Sequence, residues 1–257
     1  MSANHLYILT GASRGMGLAI AQQLLQPGHT LLCLSRQINV DLAAQAEAPT
    51  QPQARKRLLQ WSQDLSNGAA ACKRLADWLA AQDPSTYASA TLINNAGVIP
   101  RIGPLQDADA ADLAHALRVG LEAPMQLTAA FLHATQSWPG ARKVLNISSG
   151  LGRRPMASQS AYCAAKAGMD HFTRCLALEE AAKPHGAKVC SLAPGVIDTD
   201  MQVQLRNADA TAFPDLDRFT QLHTMGQLSR PEGAAWQVLA YLNRPDFGVE
   251  PVADVRG

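Results

Sequence analysis

Neither sign of charge dominates this chain. Its 22 basic side chains stand against 21 acidic ones, a formal net charge of +1, so no global field gathers nucleic acid or an anionic membrane. Long apolar runs are missing as well. The first, Leu6 to Leu9, falls far short of the roughly 20 residues that cross a bilayer, and the opening Met-Ser-Ala-Asn-His lacks the basic flank of a signal segment. A cytoplasmic protein without nucleic-acid or membrane partners is expected. Cysteine is sparse: Cys33, Cys72, Cys163, Cys175 and Cys190 are odd in number and never fall in a Cys-x-x-Cys spacing. That argues against a disulfide framework or a zinc site, and no metal is expected. The cysteines read mostly as small core residues, with Cys163 structural. Repeats and low-complexity stretches are also absent, which sets aside solenoids and arrays.

What is present is apolar material for one sizeable core: 257 residues, 47% hydrophobic and 17% charged, the profile of a single α/β domain over 1–257. Short apolar runs alternate with helical periods from the first residues, the pattern of βαβ units and a parallel sheet. Strands are expected at 6–9, 30–34, 58–61, 90–93, 143–148, 188–192 and 249–255. Helices are expected from 18 to Pro27-Gly28, over 68–82 and 109–135, from the Ser158 region to about Lys183, and over 231–242. Between Gln37 and Lys56, Pro49 and Pro52 leave room only for a short helix and an irregular loop. Pro124, within the 109–135 helix, deprives the Gly120 carbonyl of its hydrogen bond, so a kink with an unpaired backbone oxygen is expected there. The stretch from Met201 to Met225 carries Val203, Leu205, Phe213, Leu216, Phe219 and Leu222 among polar residues. It reads as a functional lid spanning about 198–226.

Thr10-Gly11-Ala12-Ser13-Arg14-Gly15-Met16-Gly17 follows the first strand and opens the first helix. Glycines in such a turn let the backbone approach a pyrophosphate, whose charge meets amide N–H groups and the positive end of the helix dipole. Gly11, Ser13, Arg14, Gly15, Met16 and Gly17 are therefore candidate dinucleotide contacts. The second strand ends in Ser35-Arg36, where a dinucleotide fold reads the adenosine ribose, and no carboxylate stands there. Arg36, helped by Arg14, offers two cations to a 2′-phosphate and so favours NADP(H); the plainer alternative is two solvated arginines. Asp64, followed by Leu65, could reach the adenine amino group or equally cap the next helix. Asn94-Asn95-Ala96-Gly97 places amide and small residues at the carboxyl edge of the sheet, and Thr199, after Pro194-Gly195-Val196, is placed to hydrogen-bond a carboxamide.

Tyr162 and Lys166 stand at i and i+4 on an apolar-faced helix, so their side chains leave the same face one turn apart. An ammonium roughly 4 Å from a phenol in a partly desolvated site favours the phenolate by about 4 kcal/mol. That would bring Tyr162 near neutrality as a general acid or base. Ser149, at a strand end, could hydrogen-bond the same substrate oxygen. A Tyr-x-x-x-Lys pair by itself is a weak signal; its weight comes from the motifs around it.

Taken together, Gly11-x-x-x-Gly15-x-Gly17, Asn94-Asn95-Ala96-Gly97, Ser149, Tyr162-x-x-x-Lys166 and Pro194-Gly195, in this order and over nearly the whole chain, resemble the short-chain dehydrogenase/reductase family. The resemblance implies a Rossmann-type, doubly wound parallel sheet and a nicotinamide cofactor. It implies that Ser149 polarises the substrate oxygen, that Tyr162 is the acid or base, and that Lys166 lowers its pKa while holding the ribose. Asn94, Ala96 and Gly97 would border the cofactor, with Pro194, Gly195 and Val196, and Thr199 would meet the nicotinamide amide. Asn146 to Gly150, Tyr162 to Lys166 and Pro194 to Gln202 are similar to the sepiapterin reductase and benzil reductase group, which implies NADPH-dependent reduction of a small, mostly apolar ketone or α-diketone. Leu151 and Met156, opposite the lid, would favour a hydrophobic substrate over a charged one. Asp254 could reach an amine-bearing substrate such as a pterin, or stand as a surface residue at a strand end. Relatives form homodimers or homotetramers, and self-association is implied. An NADP-dependent alcohol, hydroxysteroid or 3-oxoacyl dehydrogenase and a catalytically weak NADP(H)-binding regulator are the alternatives. The chain departs from the family at Val119-Gly120-Leu121, where a catalytic Asn usually helps hold a water of the proton relay.

Overall fold

Seven strands, β1 (Asn4–Thr10), β2 (His29–Ser35), β3 (Leu58–Ser62), β4 (Tyr87–Asn94), β5 (Ala141–Ile147), β6 (Lys188–Ala193) and β7 (Val252–Asp254), pair into one sheet in a computed structural model that describes residues 4–47 and 57–256. Their order is β3-β2-β1-β4-β5-β6-β7, and every neighbouring pair is parallel. This is the expected doubly wound Rossmann-type sheet. Parallel strands need helical crossovers, which cover both faces and make both apolar. Successive side chains alternate accordingly: Leu6 and Ile8 enter one layer and Leu9 the other, as do Leu32 and Leu34 against Leu31 and Cys33.

One layer holds α1 (Gly15–Leu24), α2 (Val40–Glu47) and α9 (Pro231–Leu242), through Ile20, Leu24, Leu42, Val238 and Leu242. The other holds α3 (Gly68–Ala80), α5 (Ala123–Ala134) and α6 (Ser160–Ala181), through Leu75, Leu79, Leu127, Phe131 and Leu176. Beyond β6 lie α7 (Asp200–Arg206) and α8 (Leu216–Thr224), with a separate cluster of Leu205, Phe213 and Phe219 beneath them.

Several boundaries differ from those expected. β4 begins at Tyr87 because pairing with β1 and β5 extends it through the exposed Ala88 and half-buried Ser89, which hydrophobicity alone does not reveal. The last strand is only three residues long, since β6 offers it a partner only from Ser191 to Ala193. α1 stops at Leu24, short of Pro27. α3 is capped by Asn67, whose side chain accepts from the Ala70 N–H; Asp64 instead closes a turn on the Ser66 N–H. Pro49 and Pro52 lie outside the described residues. Of the five cysteines only Cys33 and Cys190 are buried, and Cys175 is exposed.

The interruption expected near Gly120 and Pro124 is a π-helical segment, Arg118–Glu122, between α4 (Ala110–Leu117) and α5. The Ala123 N–H bonds the Arg118 carbonyl five residues back. One wide turn thus accommodates the proline without ending the helix.

A buried amide chain ties the central strands to the helices. Asn94 Nδ2 donates to Asn146 Oδ1 (2.8 Å) and Thr128 Oγ1 (3.1 Å), and Asn146 Nδ2 donates to Thr173 Oγ1 (2.9 Å). Asn146 has no exposed surface, so removing its amide leaves buried partners without water to replace it. Asn146→Ala is expected to lower the unfolding free energy by about 2–4 kcal/mol, measurable as a reduced urea midpoint at unchanged m-value.

Candidate active site

The sheet order reverses between β1 and β4, and a cleft of about 920 Å³ opens at the carboxyl ends of these strands, the place where open α/β sheets bind ligands. Thr10, the last residue of β1, joins the two sides: its Oγ1 accepts from the Asn95 and Ala96 N–H groups at 2.9 and 3.0 Å. The Asn95 amide donates to the Thr10 and Gly11 carbonyls. Ser35 Oγ accepts from the Ala12 N–H at 2.8 Å, and Asn39 donates to the Ser13 carbonyl at 3.0 Å, so β2 and its following loop hold the glycine turn from the other side. Gly11 adopts a φ of +71°, and a β-carbon at Gly17 would lie 2.0 Å from the Gly11 carbonyl oxygen. Only glycine allows the turn to fold back so closely on the start of α1.

This end of the cleft fits an anionic dinucleotide. The N-terminus of α1 opens into it, and no side chain caps its free amides. Gly11, Ser13, Arg14, Gly15, Met16 and Gly17 line it, with Arg36 after β2, Asp64 and Leu65 after β3, Ala96 and Gly97 after β4, and Pro194, Gly195, Val196 and Thr199 after β6. Two expectations need correction. The Asn94 side chain points into the interior, bonded to Thr128 and Asn146, and the amide that lines the cleft is that of Asn95. The period of two along β4 decides this, since the residue after a buried strand terminus faces the other way. Arg14, expected to share a 2′-phosphate with Arg36, is paired with Asp200 at 2.6 Å. Among the described residues, no carboxylate lies within ion-pair distance of Arg36.

At the other end Ser149, Tyr162 and Lys166 come together from the close of β5 and the first two turns of α6. Ser149 Oγ accepts from the Leu151 N–H at 3.2 Å and hydrogen-bonds the Tyr162 hydroxyl. Lys166 is 4% exposed, and its Nζ donates to the Ile147 carbonyl at 2.7 Å. The ammonium is 5.8 Å from the Tyr162 ring centre.

The electrostatics differ from the expected near-neutral phenol. Burial pushes the Tyr162 pKa above its ordinary value, against the lowering effect of the Ser149 hydrogen bond. It also brings Lys166 down to about 8, against the raising effect of Asp170. The reason is geometric: Lys166 turns to the Ile147 carbonyl rather than to the phenol. Tyr162 is consequently protonated at neutral pH, the state that gives a proton to a carbonyl oxygen.

Leu151, Met156, Leu205, Phe219 and Leu222 line the cleft between this triad and α7–α8, while Val203 and Met225, also expected to face substrate, lie 43% and 67% exposed outside it. Arg154, Arg218 and Arg256 add cations at the edges. Asp254 is held by Arg256 through two side-chain contacts of 2.8 and 2.7 Å and does not line the cleft.

Comparison with known proteins agrees with this geometry. A short chain dehydrogenase family model matches residues 5–210. The chain belongs to the short-chain dehydrogenase family. It is 36% identical to a benzil reductase of Bacillus cereus, described as forming (S)-benzoin, over 93% of this chain and 94% of that one. It is 33% identical to sepiapterin reductase of Rattus norvegicus over 93% and 92%. Among solved structures, a short-chain dehydrogenase/reductase from Burkholderia vietnamiensis is 33% identical, with a TM-score of 0.62 and 99% coverage of both chains. A dehydrogenase from Agrobacterium tumefaciens with bound NADP is 25% identical, with a TM-score of 0.77 and coverage of 98% and 95%. The protein is thus an oxidoreductase of the nicotinamide-dependent kind, with relatives that reduce carbonyl groups.

At Gly120, where the family usually has Asn, the structure leaves little room: a β-carbon would lie 3.1 Å from that of Ala165 on α6. Close packing of the π segment against α6 takes up the space that a longer side chain would need. Gly120 itself does not line the cleft, whereas His115 and Val119 do.

The depressed Lys166 pKa makes a prediction about stability. Between about 8 and the ordinary 10.5 the unfolded chain binds more protons than the folded one at this group, so its contribution to stability rises with pH across that window. Any stability difference between Lys166→Met and the native protein should therefore move in favour of the native protein by about 3 kcal/mol between pH 7 and 10.5, as read from denaturant midpoints.

Proposed function

We propose that this enzyme reduces a small, mostly apolar ketone or α-diketone to an alcohol at the expense of NADPH. The observation that carries the reading is the convergence of Ser149, Tyr162 and Lys166 at the apolar end of a cleft whose other end is an uncapped helix N-terminus beside Arg36. Benzil and sepiapterin reductases as relatives support the carbonyl class.

When bound, the cofactor supplies a hydride to the carbonyl carbon. The protein's part is the oxygen. Ser149, with its lone pair engaged by the Leu151 N–H, directs its own proton toward the substrate oxygen and polarises the bond. Tyr162 gives that oxygen its proton, and burial keeps the phenol protonated until then. Lys166 holds the ribose and stabilises the phenolate left behind; with a pKa of about 8 it can itself pass on a proton. Arg36 meets the 2′-phosphate, Gly11 to Gly17 the pyrophosphate, and Thr199 the carboxamide. The segment at about 198–226 acts as the substrate lid, with Leu205, Phe219 and Leu222 on its inner side. The enzyme works as a single-domain protomer of a cytoplasmic homodimer or homotetramer.

NADPH consumption across a panel of ketones, diketones and pterins tests the reading; a panel with no turnover would remove it. Arg36→Ala should weaken NADPH binding about ten- to a hundredfold and leave NADH nearly unchanged, and equal losses for both cofactors would count against the 2′-phosphate assignment. Tyr162→Phe should abolish reduction while NADPH titration stays close to native, since the hydroxyl carries the proton and little of the cofactor contact.

A further inference from the structure

Lys166 has a chemical problem that the site described so far does not solve. An ammonium this deeply buried tends to lose its proton, and among the described residues its hydrogen-bond acceptor is the neutral Ile147 carbonyl. One helical turn further on the same face stands Asp170, 1% exposed and absent from the cleft lining. Its two oxygens are fully engaged. Oδ1 accepts from Ser148 Oγ and Ser191 Oγ at 2.5 and 2.6 Å, and Oδ2 accepts from Arg153 Nε at 3.1 Å. Arg153 is anchored in turn by its Nη2 on the Ala253 carbonyl at 2.8 Å. Three donors thus replace the water that this buried carboxylate has lost.

We propose that Asp170 is a positioning residue of the reduction: a buried counter-ion that holds Lys166 in its charged form, its strength set by Arg153. The inference rests on the reductase reading above. The local chain geometry fits it. Ser148 and Ser149 are adjacent at the end of β5 and point opposite ways, one to Asp170 and one to the cleft. A shift of the Asp170 carboxylate would therefore move both the Ile147 carbonyl that Lys166 grips and the Ser149 hydroxyl. Asp170 acts through Lys166 and touches no reacting atom.

The groups that share this field can be named. On α6 they are Tyr162, Cys163 and Asp170; from the loop after β5, Arg153; from α4, His115 at the cleft wall. Burial pushes Cys190 on β6 up to about 12, with Arg153 lowering and Asp170 raising it to a smaller extent, so it stays neutral in the working range. Asp170 carries the charge opposite to that of Lys166, and Arg153, which pairs with Asp170, carries the same charge, so removing each should move Lys166 in opposite directions.

The test compares the native enzyme with Asp170→Asn and Arg153→Gln. Two profiles are measured against pH: kcat/KM for a neutral aromatic diketone, which reports groups of the free enzyme, and the NADPH dissociation constant from fluorescence, which needs no turnover. Asp170→Asn should move the alkaline fall of both profiles to lower pH by about one unit, and Arg153→Gln should move it upward by a few tenths. A merely structural role would scale activity without displacing either profile, and that result, or displacement of both variants in one direction, would overturn the proposal. If Asp170→Asn does not fold, Arg153→Gln decides alone: an upward displacement supports the proposal, and an unchanged or lowered one overturns it. Failure of the native protein to reduce any carbonyl would sink the reductase reading, yet the NADPH profile would still decide the role of Asp170.

Discussion

Taking an ammonium out of water costs several kcal/mol unless the interior supplies charge and hydrogen bonds in its place, and Lys166 retains only 4% of its exposure. Much of the active-site half of the molecule follows from that requirement. α6 must run across the ends of β5 and β6 so that Lys166 meets the Ile147 carbonyl while Asp170 meets Ser148 and Ser191. β7 must reach the same place, because Arg153 is pinned to the Ala253 carbonyl. The same burial sets the proton affinities. A solvated Tyr–Lys pair would titrate at its ordinary, nearly matched values, whereas here the phenol is raised and the amine lowered to about 8, so the phenol keeps its proton against the amine more firmly than in water.

The cofactor half obeys a different constraint, the close approach of backbone to backbone. A reversal of strand order leaves a gap between the ends of β1 and β4, and short polar side chains span it: Thr10 accepts two amides and Asn95 donates to two carbonyls. This lacing keeps the glycine turn rigid, and it lets the first amides of α1 face the cleft without a side-chain cap. The Arg14–Asp200 pair then links the turn to the start of α7. The α7–α8 segment is thereby joined to the glycine-turn end of the cleft as well as to the end that holds Tyr162. Both partners are largely exposed, so the link is weak in energy and easily exchanged for a stronger anion.

Much of this was readable from residues in order. The alternation of apolar runs and helical periods led to the parallel sheet, the glycine spacing to the nucleotide turn, and the i, i+4 pair to one face of α6. These features are local: they depend on the period of a strand or helix and on backbone freedom, which a short stretch carries by itself. Other readings went astray where a distant partner intervened. Asn94 and Asn95 are chemically identical, and only the pairing of β4 between β1 and β5 turns the first inward and the second to the cleft. Arg14 looked free until α7 brought Asp200 beside it. At Gly120 the neighbour that leaves little room for a side chain, Ala165, lies 45 positions away.

The sequence by itself therefore determined the fold class and the family, and it singled out Ser149, Tyr162 and Lys166, which the fold brings into one cleft, since each is written in a spacing of a few residues. Tertiary structure decided how those groups are charged. The proton affinity of Tyr162 and Lys166 depends first on how much water burial excludes, and then on the neighbours the fold supplies, Ser149 for the phenol and Asp170 for the amine. Burial and Coulomb energy are functions of distance in space, and the sheet that folds β5, β6 and β7 against α6 sets those distances.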